Sequence, residues 1–292
     1  MSKKTKLTLI VAGSLLLLVI VIGIILAKSF PANTNKQNND NNPPSLVKKE
    51  EFIKDLSEKE QIHYKIINSI DFFNTAVGEF EKVDVSANKK TKVSYTIDVQ
   101  NRKGYIQLQG DESLETIIKD GKKLEIDNAA KSYKETVLNL EPRDKNLKLL
   151  APKDRYSEDK GFTIHLNSNS PKDEGFDRRK DAEFLSSAAE SLFNQDYMVA
   201  YLRDYDKWKI EGSEVFLERD CVKITGDFGY ISKYGASKFL ALVDKNTGII
   251  LKFQTLTDGN IVIDFLETKS IRLDTAIDGK VFEKDLKDYK KE

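Results

Sequence analysis

Apolar and polar residues alternate with period two between Ala236 and Phe265. Phe239, Ala241 and Val243 recur through a first run, Ile249, Leu251 and Phe253 through a second, and Ile261, Ile263 and Phe265 through a third. That period sets every second side chain on one face of a strand. Asp244-Lys245-Asn246-Thr247-Gly248 and Asp258-Gly259-Asn260 separate the runs and carry residues that tolerate positive φ. Three consecutive antiparallel strands are predicted, with one strongly apolar face. That face needs cover, either from a helix or from a ligand.

Upstream the period changes. Ile62, Ile66, Ile70, Phe73 and Val77 recur every three or four residues, which predicts a helix over roughly 46–77 with a single apolar stripe. Ser57-Glu58-Lys59-Glu60 fits a capping box that starts or restarts it, and Gly78 stops it. Alternation returns at Val93, Tyr95, Ile97 and Val99. Tyr105–Leu108 reads as the return strand, Asp120-Gly121 as a hairpin turn and Lys131–Val137 as a further strand. Short strands joined by turns make a meander rather than βαβ units. Residues 141–180 read as charged loops around one strand near Phe162–Leu166. Two helices follow over 180–206, broken at Asn194-Gln195-Asp196. Strands resume after Trp208, and Leu286 with Tyr289 predicts a short final helix.

The N-terminus belongs to a different regime. Leu7 to Ala27 is 21 residues without a charge, about 31 Å as a helix and long enough to cross a bilayer. Lys3, Lys4 and Lys6 precede it, which places residues 1–6 in the cytoplasm and residues 28–292 outside. Its length and the lack of a small-x-small site favour an uncleaved single-pass signal anchor over a cleaved signal peptide. Asn-rich residues 28–45 read as a linker that stays disordered, and residues 46–292 as one extracytoplasmic domain.

Composition narrows the function classes. Lys plus Arg equals Asp plus Glu at 47 each, so no net basic charge points to nucleic acid. The single cysteine, Cys221, permits no internal disulfide and sits in a strand-like run. The two histidines, His63 and His165, lie far apart, and neither HExxH, CxxC, GxSxG nor a glycine-rich phosphate loop is present. No catalytic residue, metal or cofactor is expected. The basic run Arg178-Arg179-Lys180 is weighed as an anionic-lipid contact against a solvated run. An apolar strand face can also line a slot for an acyl chain, since each buried CH₂ contributes about 0.8 kcal/mol. The candidate lining is Phe239, Ala241, Val243, Ile249, Leu251, Phe253, Ile261, Ile263 and Phe265.

Three stretches carry a resemblance: Trp208 to Gly212, Arg219 to Gly226, and above all Val243-Asp244-Lys245-Asn246-Thr247-Gly248 running into a strand with Leu251-Lys252. With the order of elements, these make residues 57–275 resemble the superfamily of lipoprotein carriers and envelope sigma-factor regulators that includes LolA, LppX and MucB/RseB. Asn68 to Phe73 resembles its membrane-anchored Gram-positive members. The resemblance implies an α+β fold, a curved, unclosed antiparallel half-barrel wrapped over helices. It also implies a cavity for lipid or lipoprotein acyl chains, or else a regulator that binds another membrane protein. A chain tethered at 7–27 cannot shuttle between membranes, so the carrier role does not transfer with the fold.

Overall fold

The computed structural model describes residues 52–85, 87–110, 113–140, 151–157, 163–164, 174–176, 179–195, 198, 201–228 and 235–292. The expected anchor at 7–27 and linker at 28–45 lie outside them. Among the described residues, no helix is long and apolar enough to cross a membrane. Residues 44–292 form one compact unit whose core is closed within it.

Twelve strands make one open sheet. The first meander is β1 (Thr75–Asp84), β2 (Lys89–Asp98), β3 (Lys103–Gln109), β4 (Leu114–Lys119), β5 (Lys122–Asp127) and β6 (Ser132–Val137). Three short strands, β7 (Tyr156–Ser157), β8 (Thr163–Ile164) and β9 (Glu174–Phe176), pair separately in the order β7-β9-β8. The second meander is β10 (Trp208–Phe216), β11 (Arg219–Asp227), β12 (Lys238–Asp244), β13 (Ile250–Leu256) and β14 (Val262–Leu273). Strand β14 returns to pair with β1, so the order is β10-β11-β12-β13-β14-β1-β2-β3-β4-β5-β6, with β15 (Lys290–Lys291) parallel to β6 at the far edge. Bulges at Glu79/Phe80, Ile210/Gly212, Leu242/Val243 and Thr255/Leu256 bend the strands.

The inner face follows from the register. Ile224 pairs with Ala241, Ala241 with Phe253, and Phe253 with Leu266. Phe80 pairs with Val93 and Tyr95 with Ile106. These side chains are buried against Ile66, Ile70, Phe184, Leu185, Leu192, Met198 and Leu202 in one hydrophobic cluster. The predicted cover is therefore provided by the chain itself.

The helix expected over 46–77 is shorter. Within the described part of that range residues 52–54 are helical, α1 (Glu58–Ile66) follows, and a 3₁₀ turn stands at Ser69–Asp71. Ser57 caps α1 through the full capping box. Its end is set by Asn68, whose Nδ2 donates to the Tyr64 carbonyl at 2.9 Å. Val77 and Gly78 belong to β1 instead. The 180–206 region opens on a 3₁₀ turn, Glu183–Ala188, kinked at Ser186 (φ 45°) and followed by α2 (Ala189–Leu192). After the expected break the described residues Gln195, Met198 and Tyr201 are again helical, and the Leu202 amide donates to the Met198 carbonyl at 3.0 Å. The predicted C-terminal helix is absent. A 3₁₀ turn at Gly279–Phe282 and an extended tail replace it. Extended chain lets Lys284 reach Glu115 at 2.6 Å and lets the Tyr289 hydroxyl donate to Asn128 at 2.7 Å.

His63 is fully buried in α1, and its Nδ1 lies 3.2 Å from the Tyr205 hydroxyl. Burial, and then Arg155, depress its pKa to about 3. The unfolded chain protonates near 6.5 and so binds the extra proton between about pH 6.5 and 3. Stability therefore falls as pH drops below about 6.5, by about 2 kcal/mol on reaching pH 5, and this contribution is level above pH 7. Urea midpoints at pH 7 and 5 for the native chain and His63→Gln check this. Equal pH slopes in the two proteins would contradict it.

Candidate functional site

The motif that carries the resemblance turns out to be structural. In the β12–β13 hairpin, Asp244 Oδ1 accepts from the amides of Asn246 (3.0 Å) and Thr247 (2.7 Å) and from the Thr247 hydroxyl (2.8 Å). Asp244 Oδ2 pairs with Arg219 Nε. Thr247 Oγ1 accepts from the Ile249 amide at 3.3 Å. Gly248 holds φ +78° and abuts the backbone of Lys65 and Ile66, where a Cβ has no room. Lys65 Nζ donates to the Lys245 carbonyl at 2.6 Å, which fixes the hairpin to the end of α1. Asp244, Thr247 and Gly248 each have a mechanical role, while Lys245 and Asn246 contribute backbone groups.

The predicted lining separates into two groups. Phe239, Ala241, Val243, Ile249 and Leu251 are buried, and Phe253 is 9% exposed. Tyr201 stacks at 5.7 Å from Phe239 and 5.9 Å from Phe253, with Phe228 at 4.3 Å on the same ring. The third run does not join them. Thr255 pairs with Asp264 while Leu256 pairs with Val262, so Ile263 is the extra residue of a bulge. A one-residue shift moves a strand's apolar set to the other face. Phe265 therefore pairs with Gln254 and Val83 on the outer face, Ile261 precedes β14 and is exposed, and Asp264, Leu266 and Thr268 point inward.

A cleft of about 410 Å³ opens on the inner face where the cover ends. Its floor is two register rows. One runs Phe253–Leu266–Lys82–Thr91, and the other Thr255–Asp264–Asp84–Lys89. Glu190, Asn194 and Tyr201 form the opposite wall. Lys82 Nζ pairs with Glu190 Oε1 at 2.6 Å, which ties α2 to β1 beside the opening. Thr255 Oγ1 donates to Asp264 Oδ2 at 3.2 Å. Burial, and then the neighbouring Asp84, raise the Asp264 pKa. A larger groove of about 650 Å³ lies over the outer-face positions Thr225, Leu240 and Leu256. It is the more open of the two, whereas the inner cleft is walled on both sides and continuous with Tyr201 and Phe253.

Other candidates resolve into structure. Burial, followed by Asp244, pushes the Cys221 thiol up to about 11, far from a nucleophile's range. Among the described residues no group of three or more His, Cys, Asp and Glu is placed to hold a metal. His165 and Arg178 lie outside the described residues. Arg179, weighed as a lipid contact, instead pairs with Asp71 at 2.6 Å and Asp181 at 2.7 Å and is only 10% exposed. Sequence reasoning missed the cleft because Lys82, Asp84 and Thr91 look like ordinary polar strand positions. Only the register shows them sharing a face with Phe253.

No protein-family profile and no curated protein matches the chain. Among solved structures it is similar to an uncharacterized conserved protein from Thermus thermophilus, at 10% identity and TM-score 0.42, covering 80% of this chain and 98% of that one. It is similar to MucB in the MucA/MucB complex of Pseudomonas aeruginosa, at 11% identity and TM-score 0.40, covering 78% of this chain and 62% of that one. It is also similar to the lipoprotein LppX of Mycobacterium tuberculosis, at 8% identity and TM-score 0.35, covering 76% and 99%. The chain spans less than two thirds of the MucB chain.

Proposed function

We propose that residues 44–292 form a membrane-tethered, extracytoplasmic binding module that holds the acyl chain of a lipid or lipoprotein in the inner-face cleft. The observation that carries this is the cleft itself, which half-buried Tyr201 and the largely buried Phe253 and Leu266 line at its apolar end. Its volume of about 410 Å³ lies within the roughly 300–1,000 Å³ of ligand sites. Each methylene placed there adds about 0.8 kcal/mol, so an acyl chain binds with no polar motif. The resemblance carried by the Asp244–Gly248 hairpin supports the same reading. Native mass spectrometry of residues 44–292 is expected to show co-purifying lipid. Thr91→Trp, which fills the cleft from its floor, is expected to lose it. A domain that stays apo in both forms would overturn the proposal.

A second reading is a regulator that binds another membrane protein without a small ligand. It is favoured by how fully Tyr201 and the helical cover already occupy the inner face. Cross-linking in cells separates the two. A partner retained by a folded Phe253→Asp variant supports this second reading, and absence of any partner counts against it.

A further inference from the structure

Antiparallel order sends the ends of the strands to two rims. The β1–β2 and β13–β14 connections and the start of β10 lie on one rim, and the β10–β11 and β12–β13 turns and the end of β6 on the other. Among the described residues four large hydrophobic side chains are exposed: Val85 (49%), Val137 (68%), Val215 (70%) and Ile261 (67%). Val137 and Val215 stand on the second rim, on β6 and β10, near opposite margins of the sheet. Val85 and Ile261 stand together on the first rim. Their hairpins adjoin through the β1–β14 ladder, and the Val85 amide donates to the Ile263 carbonyl at 2.9 Å. Beneath them the outer face is apolar too, since half-buried Phe265 pairs with half-buried Val83 and Ile263 is half-buried beside them. Apolar residues clustered at hairpin tips, where polar ones serve the turn as well, mark a contact surface.

Two further observations say what the surface meets. The cleft opens at the same rim, because Val83, Asp84, Lys89 and Asp264 of its lining are the rim ends of β1, β2 and β14. The chain also enters the domain close to it. Lys59, in the first turn of α1, donates to the Trp208 carbonyl at 2.6 Å at the start of β10, while the last turn abuts Gly248 on the far rim. Helix α1 has nine residues, about 13 Å of rise. Residues 28–51 span up to about 80 Å when extended, so a domain tethered at 7–27 brings this rim to the bilayer with chain to spare. The tether makes that contact intramolecular, and at such effective concentration a small apolar surface is enough.

We propose that this rim is a lipid-docking edge: Val85 and Ile261 dip into the interfacial layer of the bilayer that holds the anchor and set the mouth of the cleft against the lipid. This rests on the tethered, acyl-binding reading above and adds the surface through which the cleft is loaded.

The test uses the full chain reconstituted in vesicles of phosphatidylcholine and phosphatidylglycerol, with or without nitroxides on the lipid acyl chains. Val85→Cys, Ile261→Cys and, on the opposite rim, Val215→Cys each carry a nitrobenzoxadiazole label, and native Cys221 is buried and stays unlabelled in the folded chain. A side chain seated about 5–10 Å into the interface lies among the nitroxides, so emission at 85 and 261 is expected to fall by about twofold, and at 215 to stay level. Unquenched emission at both tips overturns the inference, and lipid that still co-purifies with residues 44–292 then leaves the acyl reading standing. Equal quenching at 215 overturns it as well, because the domain then lies on the bilayer without preference. A blue shift at 261 in lipid-free residues 44–292 that grows with protein concentration assigns the tips to a second copy of the chain and overturns it too. Release of the full chain from the vesicles by alkaline carbonate removes the tether, and the tethered reading and the inference fall together.

Discussion

Gly248→Ala is expected to destabilise the domain by about 2–4 kcal/mol. Two costs add. An alanine at φ +78° costs about 1 kcal/mol or more in the left-handed region. Its Cβ would also meet backbone atoms of Lys65 and Ile66, which cannot rotate away as a side chain can, and such overpacking costs about 1–3 kcal/mol. The hairpin would have to lift from the end of α1 and give up the Lys65–Lys245 contact. For a domain of this size each kcal/mol moves the melting midpoint by roughly 2–4 °C, so a drop of about 10 °C is expected by calorimetry. A midpoint within about 1 °C of the native value would mean the hairpin does not rest on α1.

Arg179→Met is expected to cost about 3–5 kcal/mol, the range for removing one partner of a buried ion cluster. The guanidinium pairs with Asp71 through both terminal nitrogens and with Asp181 through Nε and Nη2. Asp71 is 5% exposed and Asp181 10%, so the variant takes the guanidinium away from two buried carboxylates. The same residue donates from Nη1 to Asn68 at 3.3 Å and lies over the Phe193 ring at 5.7 Å. It thereby ties the turn after α1 to the helical cover. A variant with Asp71→Asn and Asp181→Asn added to Arg179→Met should recover most of the loss, because replacing a whole buried cluster is close to neutral. Urea midpoints of the single and triple variants check both statements. A single variant as stable as the native chain would contradict them.

The meander was legible because its turns are written in the chain. Asp120 and Gly121 adopt φ +53° and +72° as the Asp-Gly pair predicts. The Ser57 capping box sits where its spacing says. What escaped sequence reading was set by tertiary context. The turn Leu217-Glu218 takes φ +51° and +60° with no Gly or Asn to announce it. The stripe Ile62–Ile66–Ile70–Phe73 continues past the end of α1 because a 3₁₀ turn and a loop bury the same side chains in the same core. The inner-face residues of β12 and β13 were readable from alternation. Those of β14 were not, because a single bulge residue at Ile263 exchanges the two faces, and no local signal marks it. The cleft depends on that exchange, since it brings Asp264 and Leu266 inward in place of Ile263 and Phe265.

In the proposed function a hydrocarbon chain lies in the cleft between Tyr201 and the Phe253–Leu266 row. Photo-cross-linking tests it most directly, with a twelve-carbon chain carrying a terminal diazirine, irradiated with residues 44–292 and mapped by peptide mass spectrometry. Saturable adducts on the segments containing Tyr201, Phe253 and Leu266, competed by the same chain without the diazirine, are the predicted result. Labelling confined to the outer-face residues Leu240 and Leu256, or labelling that never saturates, would contradict it.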